Sequence, residues 1–249
     1  MYYNMLKRLA ITERLDYMKK IIINLLLSLL ILSGCSFYRL NERQKTILAK
    51  EGLSTKYNKL NSSQQKMIKS VEKMLTFIEN KYNVSFEYVS YCSKENGDCE
   101  TLEVYPEKNK VEGFPVNIKM IEGNYCDDYV KIYSKWPLET YLRENIKKNY
   151  VDKKIKIFAD IRDISLSEIP KAGVELDGNV SAGITLFVDS STCSKANFIE
   201  LKEFVEKFLV DHRIESELRI FYEKAGYIDD INDFNYLDYL EDEYIYSVE

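Results

Sequence analysis

The sequence has few of the residues on which catalysis and metal binding most often depend. Its 249 residues include one histidine, His212, and five cysteines, none of them in the CxxC or Cys/His spacing of a zinc site. GxSxG, HExxH, GxGxxG and P-loop patterns are also absent. We therefore expect no metal, no cofactor and no catalytic residue. His212 lies near the end of a predicted helix, where a structural or surface role is favoured.

Clusters of positive charge are missing as well. Removing the five basic and two acidic residues of the first 34 leaves 30 Lys and Arg against 38 Asp and Glu, a net charge of −8. Nucleic-acid binding, which depends on clustered Lys and Arg, is not expected. Eight of the acids lie in residues 229–249, which contain no base. This stretch is interpreted as the solvated face of a helix whose apolar side carries Phe234, Leu237, Tyr239 and Leu240.

A segment typical of a protein's beginning lies seventeen residues inside the chain. Residues 18–36 read MKKIIINLLLSLLILSGCS, with Lys19 and Lys20 before an apolar run that is too short to favour a membrane-spanning helix. This is the outline of a secretory signal peptide. Residues 1–17 are interpreted as an upstream start chosen in place of Met18, and a long positive region before the apolar run is the alternative.

The end of that segment, Leu32-Ser33-Gly34-Cys35, resembles the lipobox of bacterial lipoproteins. The resemblance implies cleavage before Cys35 and a diacylglycerol on its sulfur, so that the protein is held at the extracytoplasmic face of the cell membrane. The predicted parts are a signal peptide over 18–34, a polar tether over 35–60 and an α+β domain over 61–249. A division of that domain into 61–134 and 135–249 stays open.

Four cysteines remain for disulfides: Cys92, Cys99, Cys126 and Cys193. Thiols beyond the membrane are not kept reduced, so pairing is expected there, with three connectivities open. Cys92 with Cys99 is the local pair. However, a two-residue turn at Asn96-Gly97 would set Cys92 opposite Thr101, so this disulfide implies a wider loop.

Periodicity predicts an α+β fold, with an antiparallel sheet meander packed against helices. A helix with a capping box from Ser62 and Gln65 runs to about residue 81, and further helices are expected around Leu142 and Leu201. Strands are predicted over 84–91, 101–105, 115–121, 129–134, 154–161, 183–189 and 217–223. Ile155, Ile157, Ala159 and Ile161 share one face of the fifth strand.

Two helix-strand units share a register. A shift of 63 residues aligns Leu138 with Leu201 and Leu142 with Val205, and it continues into the strands that follow. This pattern indicates a duplicated module. Any two amphipathic helices that precede strands also produce it, so both interpretations stay open.

The leading functional hypothesis is a non-enzymatic lipoprotein that presents its domain to a protein partner, as an immunity-type protein or a surface-complex accessory would. Its basis is the lipobox together with tyrosines on or beside the predicted strands, some of which alternation would expose. These are Tyr88, Tyr91, Tyr105, Tyr125, Tyr129 and Tyr133. Ordinary β-propensity is the favoured explanation of the tyrosines. The alternatives are a cell-envelope hydrolase that uses paired carboxylates and a small solute-binding lipoprotein.

Overall fold

The structure is a computed structural model that describes residues 39–95, 97–223 and 225–240. Contacts divide the chain into two compact units, residues 1–69 and 70–249. The predicted signal peptide and Cys35 lie outside the described residues. Elements are numbered in chain order, and each unit is described by itself.

The first unit contains a capped helix, α1 (Glu42–Lys50). The Asn41 side chain accepts a hydrogen bond from the Gln44 backbone N–H at 2.8 Å, and the Gln44 side chain accepts one from the Asn41 N–H at 3.1 Å. This capping box satisfies donors that have no partner within a helix. Ile47 and Leu48 are buried. Helix α1 thus lies within the segment for which the sequence predicts a tether, and a 3-10 helix (Tyr57–Lys59) follows.

A second capping box begins α2 (Ser62–Tyr82). The Asn61 side chain accepts from the Gln64 N–H at 2.9 Å, and the Gln64 side chain accepts from the Asn61 N–H at 3.0 Å. The predicted helix is confirmed, whereas the predicted box of Ser62 with Gln65 is wrong by one residue. Gln65 instead donates from its side-chain amide to the Leu60 carbonyl at 2.9 Å.

The second unit begins with a four-stranded sheet, which we call the first sheet. Its strands pair in sequence order and every pair is antiparallel, so the predicted meander and the α+β class are confirmed. Three predicted strands agree with the structure to within about two residues. The bounds are β1 (Phe86–Cys92), β2 (Glu100–Pro106), β3 (Val116–Ile121) and β4 (Asn124–Asp127).

The fourth predicted strand, over 129–134, is wrong. These residues form a short helix, α3 (Tyr129–Tyr133), whose buried residues are Tyr129, Val130 and Tyr133. These residues are at positions i, i+1 and i+4, which lie on one face of a helix. The true β4 precedes it, after a tight turn in which Glu122 and Gly123 have φ of 51° and 85°. Two successive positive φ angles are typical of the type I′ turns that close two-residue hairpins.

One face of the first sheet packs against the part of α2 that belongs to this unit. The Phe77 and Tyr125 rings lie 5.3 Å apart, and Lys81 donates to Asp127 at 2.8 Å. Ser70 donates to Glu100 at 3.1 Å. The opposite face of the sheet is polar, and Cys92, Lys119 and Cys126 are exposed on it. Among the described residues, helix therefore covers this sheet on one side only.

The second sheet has a different topology. β5 pairs antiparallel with β6, and β6 pairs parallel with β7. A parallel pair requires a crossover, which the helix between β6 and β7 supplies. The bounds are α4 (Lys135–Asn149), β5 (Ile155–Ile164), β6 (Val180–Asp189), α5 (Lys195–Asp211) and β7 (Glu215–Glu223), with a 3-10 helix (Gly173–Leu176) between β5 and β6.

The main core lies between the second sheet and helices α4 and α5. Ile157, Ala159 and Ile161 are buried in it, with Ile155 packed against it, so the predicted strand face is confirmed. Two pairs of residues that the 63-residue shift aligns are also buried to the same extent. Each residue of the Leu138 and Leu201 pair is 0% exposed, and Leu142 and Val205 are 1% exposed. Duplication itself stays a prediction, because unrelated amphipathic helices bury the same positions.

The last described residues, 225–240, form what we call the C-terminal segment. It contains two 3-10 helices (Ile228–Asp230 and Tyr236–Leu240) in place of the longer helix expected from the sequence. Ile228 and Ile231 are buried against Phe158 and Phe187, which are residues of β5 and β6. The segment therefore partly covers the second face of the second sheet.

Candidate functional site

A groove of about 280 Å³ lies within the second unit, where five parts of the chain meet. They are the loop before β3, the α3 and α4 helices, the middle of β5 and the C-terminal segment. The lining residues are Phe114, Lys131, Ile132, Lys135, Ala159, Asp160, Ile161, Asp233, Tyr236 and Leu237. This mixture of apolar walls with a few charged groups is typical of ligand and peptide sites.

Lys135 is the central charged residue of the groove. It is 7% exposed, and its ammonium lies 3.1 Å from Glu139 and donates a short hydrogen bond to Asp233. Glu139 is 5% exposed and also accepts from the Ala159 N–H at 2.9 Å. A buried charge is costly without partners, and here each member of the cluster has at least one. The cluster thus fixes α4, β5 and the C-terminal segment around the groove.

Burial and pairing shift the pKa values of this cluster. Burial raises the pKa of Glu139, although Lys135 and the Ala159 N–H act to lower it. For Lys135, burial acts to lower the pKa, but Glu139 and Asp233 outweigh it and the pKa is raised. The lysine therefore remains a cation paired with two carboxylates, which suits a structural or recognition role better than proton transfer.

Aromatic rings surround the charged cluster. The Lys135 ammonium lies 5.2 Å from the centre of the Phe114 ring, and Phe114 makes an edge contact with Trp136 at 5.5 Å. Tyr236 stacks on Phe158 at 4.7 Å. Phe234 packs on Phe114 at 5.9 Å yet stays 73% exposed. With Leu237, which is 56% exposed, it forms an apolar surface beside the groove.

The predicted disulfide residues are free thiols in the structure. Cys92 and Cys126 are exposed, Cys99 is half-buried and Cys193 is buried. Burial raises the pKa of the Cys193 thiol, with Lys153 opposing. Free thiols in the structure do not test whether these cysteines pair in an oxidising compartment. Disulfide formation therefore stays a prediction. Among the described residues, no three histidine, cysteine or acidic side chains form a group that could hold a metal ion.

His212 lies at the end of α5, as predicted. Its Nδ1 is 2.8 Å from Asp177 and 2.9 Å from the Tyr141 hydroxyl. A Cβ at Gly173 would lie 2.1 Å from the Tyr141 ring, so only glycine permits this close approach. The histidine thus joins α5 to α4 and to the 3-10 helix between β5 and β6. Sequence reasoning missed Asp177 and Tyr141 because both are distant along the chain.

The expected tyrosine face is not exposed. Tyr88, Tyr129 and Tyr133 are buried, and Tyr91, Tyr105 and Tyr125 are half-buried. Tyr88 and Tyr91 lie on either side of a bulge in β1, which places both toward the covered side of the sheet. Tyr129 and Tyr133 belong to a helix. Tyr88, Tyr129 and Tyr133 are therefore part of the core, and the groove is a better candidate surface.

No protein family model and no curated protein matches this sequence. Within the described part of the chain, no helix is both long and apolar enough to cross a membrane. The functional argument therefore depends on the chain's own residues. Sequence reasoning did not find the groove, and the one local signal was the spacing of Lys135 and Glu139 by four residues at the start of a helix.

Proposed function

We propose that this chain is a bacterial lipoprotein, anchored through Cys35 at the extracytoplasmic face of the cell membrane, whose groove binds a segment of a partner protein. The observation that carries the proposal is the groove with exposed Phe234 and Leu237 beside it. Exposed apolar side chains grouped at a concave site are typical of interaction surfaces. The lipobox supports the anchoring.

Charge indicates the kind of segment that fits. Asp160 is exposed in the groove, and Asp230 and Asp238 are exposed on the C-terminal segment. Lys131 is the exposed base among the lining residues, since Lys135 is buried and bonded. Complementary charge favours a partner segment that inserts an apolar side chain against Leu237 and brings Lys or Arg near Asp160.

The binding proposal is tested with a photo-crosslinking amino acid at position 237 of the full chain in its native membrane. The matched control carries it at Ile199, which is 46% exposed on α5 and is not a lining residue. We expect a discrete cross-linked product from position 237 that is lost when Asp160→Lys is added. Equal products from both positions, or a product insensitive to Asp160→Lys, would contradict the proposal.

Anchoring is tested separately by labelling growing cells with a fatty acid. The label is expected in the wild type and in Cys126→Ala, whose exposed thiol is a matched control, but not in Cys35→Ala. Label of equal strength in Cys35→Ala would exclude a lipid on this cysteine.

The hydrolase alternative has one observation in its favour, since Asp160 and Asp233 both line the groove. A glycosidase needs an acid and a base that can exchange protons with substrate. Asp233 instead accepts a hydrogen bond from Lys135. Release of soluble sugar from purified cell wall by the full chain, abolished in Asp160→Asn, would favour the hydrolase over partner binding.

A further inference from the structure

Two thiols flank the loop that joins β1 to β2. Cys92 is the last residue of β1, and its Cα partner on β2 is Thr101. The Cys99 thiol lies 3.6 Å from the Thr101 hydroxyl. A Cβ at Gly97 would be 3.3 Å from the Cys92 sulfur and 3.7 Å from the Cys99 carbonyl oxygen. Cys92 and Cys99 thus both adjoin Thr101 and Gly97.

The distance to be closed is small. Because Thr101 is opposite Cys92, Cys99 is a diagonal neighbour of Cys92, and diagonal positions on paired strands are about 7–8 Å apart. A disulfide needs Cα atoms about 4.4–6.8 Å apart. The ladder between β1 and β2 ends at the Cys92–Thr101 pair, so no strand pairing holds Cys99 away. A shift of about 1–2 Å in the loop is enough.

We propose that Cys92 and Cys99 form the disulfide of this protein by thiol exchange, with exposed Cys92 reacting first and Cys99 completing the bond. The β1–β2 register is retained. The sequence leaves three connectivities open, and the geometry selects this one. Cys126 lies on β4, with β2 and β3 between it and β1, while Cys193 is 1% exposed in the core of the second sheet.

The reaction needs a disulfide as oxidant, either a disulfide-bonded oxidoreductase or a small disulfide. The Cys92 thiolate attacks one sulfur of the donor, which expels one donor thiolate and leaves a mixed disulfide. The Cys99 thiolate then attacks the Cys92 sulfur and expels the second thiolate. Two thiols of the protein lose two electrons and two protons in total, and the donor is reduced to two thiols. The supply of oxidant in the cell rests on the proposed extracytoplasmic location, whereas the reaction itself does not.

The test is oxidation of the detergent-solubilised full chain with oxidised glutathione, followed by alkylation of free thiols and mass spectrometry of a non-reduced digest. We expect a peptide pair joined through Cys92 and Cys99 in the wild type, with an unchanged yield in Cys126→Ser. Cys99→Ser should stop at glutathione on Cys92, because the second attack is lost. In Cys92→Ser, this hairpin should carry little glutathione, because the thiol that reacts first is absent.

Three results would overturn the proposal. They are a bond from Cys92 to Cys126, glutathione that stays on Cys92 in the wild type, and first attachment of glutathione at Cys99 when Cys92 is intact. Circular dichroism of each Ser variant checks that it folds. The outcome is independent of the cross-linking and lipid-labelling tests, so failure here does not decide the proposed function.

Discussion

The two sheets of the second unit differ in how their faces are covered. In β2 of the first sheet, buried Leu102, Val104 and Pro106 alternate with half-buried residues, because only one face is packed. In β6 of the second sheet every position except Ser181 is buried. One-sided packing leaves the first sheet a polar face that carries the exposed thiols of Cys92 and Cys126. Beside the second sheet, buried Lys135 and Glu139 of α4 pair with each other, and Lys135 also pairs with Asp233.

The largest expected effect concerns that buried charge. Lys135→Ala leaves Glu139 buried without its cation, which should lower the free energy of unfolding by about 3–5 kcal/mol. The control is Lys110→Ala, which removes the exposed pair with Glu87 beside the first sheet and should cost about 0–1 kcal/mol. Urea unfolding of the full chain measures both. Equal losses would show that the buried cluster is no more important than a surface pair.

The next largest difference in stability is expected when a buried side chain of the second sheet and an exposed side chain of the first sheet are shortened. Leu186→Ala in β6 removes a side chain that is 0% exposed and should cost about 2–5 kcal/mol, because it leaves a cavity. Ile121→Ala in β3 removes one that is 47% exposed and should change stability by about 0.5 kcal/mol or less. Urea unfolding again applies. A large loss in Ile121→Ala would mean that the open face of the first sheet is covered.

The hairpin turn of the first sheet gives a smaller effect. Gly123 has φ of 85°, so Gly123→Ala should cost about 1–2 kcal/mol through backbone strain. Gly183 in β6 is the matched control. It has no positive φ, and an added Cβ would make ordinary contact with Arg162 at 3.6 Å. Thermal unfolding should therefore show a lower Tm in Gly123→Ala and little change in Gly183→Ala, and the opposite order would refute the turn assignment.

The smallest effect is a dependence on alkaline pH. Burial first, and then Glu100, raises the pKa of Tyr91 to about 12. Because the folded pKa is above the unfolded value, this tyrosine contributes stability that is complete below about pH 10 and is lost as pH rises toward 12. Tyr91→Phe should flatten the fall in stability over that range, as followed by urea unfolding at several pH values. An unchanged fall would assign it to other groups.

Most of the helices and strands could be predicted from local periodicity, and the short polar loops between the strands predicted the meander of the first sheet. The pairing within the second sheet could not be predicted in this way. The strand order of β5, β6 and β7 depends on a crossover that no local pattern describes. The error over 129–134 has a physical cause, since Tyr129, Val130 and Tyr133 have high β-propensity and only packing selects helix.

The candidate site was less predictable than the fold. The groove joins Phe114, Lys135, Asp160 and Leu237, which are far apart in sequence and follow no motif. The tyrosines did not indicate the candidate surface, because a bulge in β1 and the helix α3 direct several of them toward the core. Spacing marked Cys92 and Cys99 as the local pair of cysteines, whereas their positions beside Gly97 and Thr101 required the strand register.

The parallel pairing of β6 with β7 also bears on how the chain folds. The run GITLFV at 183–188 has no charge and no proline, and such segments aggregate readily when a strand edge is open. Its partner β7 begins at Glu215, so residues 190–214 must be synthesised before that edge can be covered. Until then β6 can template intermolecular β-structure. The crossover helix and β7 therefore protect the newly made chain from association with its own copies.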